Sequence, residues 1–164
     1  MSEPMNRGLL MHLGAVAVAG LLSGALVVAG VYLAAALEPD RVRLNPFHFL
    51  GSAVFVDEGS IYGSGAAIFA GLTIVVAAVQ VSLHRSVGAW LPPVLWGVLF
   101  GIVQYGAVGA IAGFSRTLHP AVRTGDLPDP GAFASKQPRP GMFALPAASV
   151  LFSVLVALLY AWLS

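Results

Sequence analysis

The stretch GLLMHLGAVAVAGLLSGALVVAGVYLAAAL, residues Gly8–Leu37, runs for 30 positions without Asp, Glu, Lys or Arg. A helix needs about 20 apolar residues to cross the hydrocarbon layer of a bilayer. This run is therefore long enough to cross with some tilt or to project beyond the membrane. The apolar core of a secretory signal peptide is shorter, so we interpret the run as a retained transmembrane helix.

Three further runs have the same character, and none of them contains Asp, Glu, Lys or Arg. They cover residues 61–83, 89–114 and 142–163. In the whole chain 58% of residues are hydrophobic and 9% are charged, whereas a typical soluble domain has about 25% charged residues. The sequence therefore predicts an all-α polytopic membrane protein in which residues 1–164 form a single transmembrane domain, with four helices in an up-down bundle.

The few ionisable groups argue against several functions. Lys and Arg number 8 against 7 Asp and Glu, so no basic surface is available for nucleic acid. Without cysteine there is no disulfide or thiolate chemistry. The carboxylate pairs Asp57 with Glu58 and Asp126 with Asp129 lie beside Gly or Pro and are typical of turns and caps. Because no catalytic motif is present either, we expect a protein that is not an enzyme.

The connection between the first two spans, residues 38–60, contains the stretch RLNPFHFLGSAVFVDEG. Its apolar part has about half the length that a span needs, and Asn45, Pro46 and Gly51 interrupt its helical pattern. We therefore expect residues 45–56 to lie at the membrane interface or to cap the bundle. The alternative is a re-entrant loop, whose open backbone groups would need protein or water partners.

The other two connections differ in length. The turn around Arg85 is very short, which predicts that the second and third spans form an antiparallel hairpin. Residues 115–141 are rich in proline, which predicts an extended loop rather than a folded unit.

Lys and Arg near the spans predict the orientation. Two of them, Arg7 and Arg85, lie on the side of the termini. The other six share the side of the two long connections: Arg41, Arg43, Arg116, Arg123, Lys136 and Arg139. The positive-inside rule then predicts a multi-pass protein of the cell (inner) membrane with cytoplasmic long loops and both termini outside.

Small residues predict where helices approach each other, because in lipid the association of helices depends on close contact between backbones. A spacing of four residues places a pair of glycines on one helical face. The predicted packing positions are Gly20, Gly24, Gly97, Gly101, Gly109 and Gly113. These faces pack either within the bundle of this chain or against a second copy or other membrane subunits.

The histidines and intramembrane polar residues are the candidates for chemistry. His12 and His84 share one predicted side and could ligate a haem b iron axially, but their depths match only roughly, and ordinary interfacial histidines are the favoured interpretation. No metal site is predicted. Gln80, Gln104 and Tyr105 are candidates for intramembrane polar contacts, in which each glutamine bonds a backbone carbonyl or a neighbouring hydroxyl. The alternative is contact with a solute.

The order of these features resembles the YagU-like group of small integral membrane proteins. The matching pieces are NPFHFLGSAVF after the first helix, GSGAAIFAGL in the second, LPPVLWGVLFGIV at the start of the third, then a Pro-rich loop and a last apolar helix. The resemblance implies a four-helix inner-membrane protein. It transfers no functional residues, because the histidines that the group often carries near the second and fourth helix starts are replaced here by GSGAAIF and LPAASVLF.

Together these observations favour a non-enzymatic membrane protein that acts by helix packing. It would contact the lipid bilayer and either itself or other subunits of a membrane complex, without a cofactor. The alternatives are a haem-binding electron-transfer subunit and a passive channel for a small neutral solute. The latter is limited to passive flow because proton relays and ion-coupled pumps usually need an ionisable group within the membrane.

Overall fold

The computed structural model describes residues 3–37, 45–55, 58–137 and 139–164, with side chains except at residues 3–7, 58 and 139–141. Within these ranges the chain is helical and contains no strand. The α-helices are α1 (Glu3–Leu37), α2 (Pro46–Ser52), α3 (Glu58–Leu83), α4 (Pro93–Gly113), α5 (Ser115–Leu118), α6 (Pro120–Thr124) and α7 (Arg139–Leu163). A π-helical turn, His84–Gly88, extends α3, and a 3-10 turn, Ala132–Ala134, precedes α7. The predicted all-α class is confirmed.

In the part of the chain that the structure describes, four helices are long and apolar enough to cross a membrane, namely Gly8–Leu37, Gly59–Gly88, Pro93–Gly113 and Met142–Leu163. At most a third of the residues in the most apolar part of each span are buried within the chain. The remaining apolar surface is stable only against lipid or another apolar chain. The protein is therefore a multi-pass membrane protein. The third span begins later than the predicted residue 89, because Pro92 is extended and helix α4 starts at Pro93.

The bundle has a compact centre and two distinct ends. Helix α1 lies against α3 and α7, and the three share a small core made of Val16, Ala77, Val81, Phe152 and Val156. We call the end with the α3–α4 turn the turn end, and the end with α2, α5 and α6 the loop end.

Helix α4 lies mainly against α7, although α3 precedes it directly in the chain. The hairpin prediction placed α3 and α4 side by side, whereas the structure pairs α4 with α7. The reason is that Gly97 and Gly101 give α4 a flat face at which the α7 backbone around Val150 and Val154 comes close.

Helix α2 packs along the first turns of α3. Asn45 caps it by accepting hydrogen bonds from the amides of Phe47 and His48, both at 3.1 Å, and Tyr32 of α1 donates to the same oxygen at 2.9 Å. The predicted segment 45–56 is thus helical over Pro46–Ser52 and covers the loop end of α3. Val56 and Asp57 lie outside the described residues.

The Pro-rich connection is folded, so the prediction of an extended loop is wrong. Its proline at position 120 starts α6, where a missing amide costs little, and the 3-10 turn packs against α4. Phe133 lies against Gly109 and Tyr105 with a left-handed backbone, φ 54°. Since such a conformation is unfavourable for a side chain with a Cβ, the aromatic contact compensates for it. The connection is also shorter than predicted, because α7 begins at Arg139.

The described cations divide between the two ends. Arg85 lies at the turn end. Three others lie at the loop end: Arg116, Arg123 and Lys136. Outside the description lie Arg41, Arg43 and the side chains of Arg7 and Arg139. Which end faces the cytoplasm stays a prediction.

Candidate functional site

A polar chain links three helices in the interior of the bundle. Gln80 of α3 is 1% exposed, and its Nε2 donates to the backbone oxygen of Ser153 at 2.6 Å. The hydroxyl of Ser153, on α7, donates to Oε1 of Gln104 on α4 at 2.8 Å. The two glutamines are therefore joined through Ser153 and not directly. Gln80 bonds a backbone carbonyl and Gln104 a neighbouring hydroxyl.

Glycine positions this polar chain. A Cβ added at Gly97 would lie 2.6 Å from Cα of Val154 and 2.9 Å from the backbone oxygen of Ser153. One turn on, a Cβ at Gly101 would lie 2.6 Å from Cα of Val150. Gln104 follows Gly101 by three residues and lies at the edge of the packed glycine face, so the close approach of the two backbones brings its side chain to Ser153 and leaves it partly exposed.

Two glutamine atoms keep unused hydrogen-bonding capacity. Oε1 of Gln80 is buried without a partner among the described residues. Gln104 is partly exposed near the middle of α4, and its Nε2 has no partner in the described part of the chain. An amide that cannot bond to water or protein is costly in hydrocarbon. Gln104 is the more informative of the two, because its exposure lets a group from outside this chain reach it.

Tyr105 follows Gln104 in the chain but faces another neighbour. Its ring meets Phe133 edge to face, with the centroids 5.6 Å apart. These two candidates for intramembrane polar contacts therefore have different neighbours: Gln104 bonds α7, and Tyr105 contacts the 3-10 turn at the loop end.

The two histidines considered for haem have separate surroundings. His12 Nδ1 lies 2.7 Å from the hydroxyl of Tyr160, and Nη1 of Arg85 lies 3.1 Å from His12 Nε2. His84 stacks on Trp96 at 5.3 Å, and its Nε2 donates to the backbone oxygen of Leu91 at 3.1 Å. The guanidinium of Arg85 beside His12 and the Leu91 carbonyl on Nε2 of His84 do not favour axial ligation of a haem iron by these two histidines. Among the described residues no group of three or more His, Asp and Glu could hold a metal ion.

All six predicted packing glycines contact elements of this chain. Added Cβ atoms at Gly20 and Gly24 would meet Thr73 on α3, at 2.8 and 2.6 Å. Those at Gly97 and Gly101 would meet α7, as described above. Those at Gly109 and Gly113 would meet the residues of the 3-10 turn, Phe133 and Ala132.

Two glycines that the sequence analysis did not assign to packing make the closest contacts. An added Cβ at Gly65 would lie 1.9 Å from the backbone oxygen of Phe47, and one at Gly51 would lie 1.9 Å from that of Ile61. Helices α2 and α3 therefore touch backbone to backbone at two glycines, one from each helix. In the sequence, the only features that indicate this contact are the short motifs FLGS and GSG, and hydropathy does not distinguish these motifs from the neighbouring residues.

Asp129 organises the folded connection at the loop end. It pairs with Lys136, accepts a hydrogen bond from the amide of Gly131 at 2.9 Å, and accepts one from the buried hydroxyl of Ser115 at 3.2 Å. The bond with Lys136, followed by that from Gly131, lowers the pKa of Asp129 below its ordinary value of 3.8. Of the other predicted carboxylates, Asp126 accepts a bond from Thr124 at 2.6 Å. Asp57 and the side chain of Glu58 lie outside the description.

The lowered pKa of Asp129 predicts acid sensitivity of the loop end. A group whose pKa is lower in the folded state stabilises that state above its unfolded pKa, and the contribution is lost as the pH falls through the folded value. We expect the thermal stability of the wild type to fall below about pH 4 more steeply than that of Asp129→Asn, measured by circular dichroism. Lys136→Gln should lie between them. Parallel pH profiles of wild type and Asp129→Asn would contradict this role.

Comparison of the chain with protein-family models, curated proteins and solved structures gives no match. The resemblance to the YagU-like group therefore stays a prediction.

Proposed function

We propose that this protein is a non-enzymatic membrane component that associates in the bilayer with a second copy of itself through α4. The observation that supports the proposal is Gln104, which is partly exposed near the middle of a membrane-spanning helix and holds amide donors without a partner among the described residues. In water such an amide would be solvated. In hydrocarbon it gains by meeting a polar group of another chain.

A second copy supplies such a group without any further assumption. A glutamine side chain carries both donors and an acceptor with two lone pairs, and Ser153 uses one lone pair of Oε1. In a twofold dimer the same patch lies on both sides of the interface. Each Gln104 can then donate Nε2 to the Oε1 of its counterpart, so that both amides are satisfied.

The internal use of the glycines supports this choice of surface. Gly97 and Gly101 hold α4 on α7, so association through the face of Gln104 does not require the bundle to open. The exposed side chains beside it on α4, such as Val103 and Ala107, are apolar and small enough for a second helix to come close. A larger membrane complex could use the same face, with a polar group of another subunit in place of the second glutamine.

The test is energy transfer between donor-labelled and acceptor-labelled copies reconstituted together in liposomes. Because an interhelical hydrogen bond in lipid contributes about 1 to 2 kcal/mol, Gln104→Leu should weaken association roughly tenfold. The matched control is Tyr105→Phe, which removes a hydroxyl from the next residue and should leave the transfer unchanged.

Gln104→Leu should keep the fold of the wild type, because the hydroxyl of Ser153 can bond a carbonyl of its own helix when leucine replaces Gln104. Circular dichroism and the elution volume in detergent check this point. Equal energy transfer in wild type and Gln104→Leu, at the same helical content, would contradict the proposal.

A further inference from the structure

A second polar cluster lies at the turn end, about the length of a span away from the loop-end connections, and plays no part in self-association. It consists of Arg85 on the π-helical turn, His12 on α1 and Tyr160 on α7. Arg85 is exposed, whereas His12 and Tyr160 are partly buried. Three different parts of the chain therefore bring one cation and two hydrogen-bonding rings together.

The contacts assign the hydrogens of the cluster. A guanidinium can only donate, so Nη1 of Arg85 donates to Nε2 of His12, the nearer ring nitrogen at 3.1 Å. The ring then carries its hydrogen on Nδ1, which donates to the oxygen of Tyr160 at 2.7 Å. This assignment leaves the hydroxyl hydrogen of Tyr160 and most of the N–H groups of Arg85 available for another acceptor.

The charge of Arg85 is not balanced by the described part of the chain. No carboxylate side chain there lies within ion-pair distance of it, and it is the only charged side chain that the structure describes at the turn end. The partner that Arg85 does have, the imidazole of His12, carries no negative charge that would neutralise it. The cluster therefore favours an anionic ligand.

The surroundings place the cluster at the level of lipid headgroups. Trp90 is 79% exposed and Trp162 is 81% exposed, and both lie at the turn end. Exposed tryptophans collect at the boundary between hydrocarbon and water. An anion that reaches Arg85 at this depth is most readily the phosphodiester of a phospholipid, whose oxygens match the two-pronged geometry of a guanidinium.

We propose that Arg85 and Tyr160, positioned by His12, bind the phosphodiester of an anionic phospholipid in the leaflet at the turn end. The binding orients the lipid beside the π-helical turn and ties α1, α3 and α7 together at this end. The site does not depend on self-association, so Gln104→Leu should retain it.

The three tryptophans of the chain, at positions 90, 96 and 162, all belong to the turn end and report on this site alone. Full-length protein is reconstituted in phosphatidylcholine liposomes, and quenching by brominated phosphatidylglycerol is compared with quenching by brominated phosphatidylcholine. In the wild type we expect the anionic lipid to quench at a severalfold lower mole fraction. Arg85→Gln should bring the two lipids close to equal quenching, because it removes the charge-assisted contact that distinguishes them.

Two further variants make the result specific. Arg85→Lys keeps the charge without the planar fork and should retain part of the preference. Arg123→Gln removes the same charge at the loop end and should retain all of it. Equal quenching by the two lipids in the wild type, or an unchanged preference in Arg85→Gln, would overturn the proposal. So would loss of the preference on adding inorganic phosphate but not chloride of equal ionic strength, since that result would assign the cluster to a soluble anion.

Discussion

Gly65→Ala is expected to destabilise the protein by roughly 2 to 3 kcal/mol, the upper part of the range found when a well-packed contact is overfilled. The new methyl group would lie 1.9 Å from the backbone oxygen of Phe47 and 2.7 Å from its carbonyl carbon. Those atoms belong to the backbone of α2, so no side-chain rotation can relieve the contact. Alanine favours a helix over glycine by only about 1 kcal/mol, and the steric effect therefore decides the sign.

The measurement is thermal unfolding in detergent combined with hydrogen exchange of residues 46–52. We expect a lower midpoint and faster exchange of α2, because that helix has to move away from α3. The matched control is Gly63→Ala, which lies two residues earlier in α3 with nothing within 4 Å of the added Cβ. It should be as stable as the wild type or more so. Equal unfolding midpoints and equal exchange of α2 in Gly65→Ala and Gly63→Ala would contradict a backbone contact between α2 and α3 at Gly65.

Gly101→Ala is expected to cost roughly 1 to 3 kcal/mol, because it separates α4 from α7. Its methyl group would lie 2.6 Å from Cα of Val150 and 3.0 Å from the backbone oxygen of Ser149. Since Gln104 reaches Ser153 from the next turn of the helix, the shift should also lengthen that hydrogen bond. The variant therefore tests the packing of α4 and the polar chain together.

Gly106→Ala is the control for this second substitution, since an added Cβ there meets nothing within 4 Å. It places the same methyl group in the same helix at a similar depth. We expect Gly101→Ala to unfold at a clearly lower temperature than Gly106→Ala. A midpoint for Gly101→Ala at or above that of the wild type would show that α4 does not rest on α7 at this glycine.

The number of spans could be predicted because span length and the absence of charge are local properties of the sequence. Each of the four apolar runs overlaps one of the four long helices of the described chain. The choice of neighbours could not be predicted in the same way. Gly97 and Gly101 indicated a packing face on α4, but glycine spacing does not indicate which helix packs against that face. The order of the helices in the chain suggested α3, whereas α4 packs mainly against α7.

The candidate site was predictable in part. Gln80 and Gln104 stand out because amides are rare in apolar helices. Ser153 does not stand out, since serine bonds its own helix backbone readily and is common in such helices. Its bridging role depends on the distance between α4 and α7, which is a tertiary property.

The Pro-rich connection shows a different limit. Proline and glycine indicate that regular helices end, but they do not indicate whether the intervening turns pack. Here the ring of Phe133 fills the space left by Gly109, and Asp129 ties the turn to Ser115 at the start of α5. Both contacts join residues more than ten positions apart, beyond the reach of a local pattern.

Cysteine crosslinking in native membranes tests most directly whether the Gln104 face of α4 meets a second copy in the bilayer, as we propose. The chain contains no cysteine, so single substitutions have no background. Ala107 lies three residues after Gln104 on the same face, and Ile102 lies on the opposite face of the same helix. We expect oxidation to give a disulfide-linked dimer with Ala107→Cys and little with Ile102→Cys. Equal crosslinking at the two positions, or none at Ala107→Cys, would contradict association through this face.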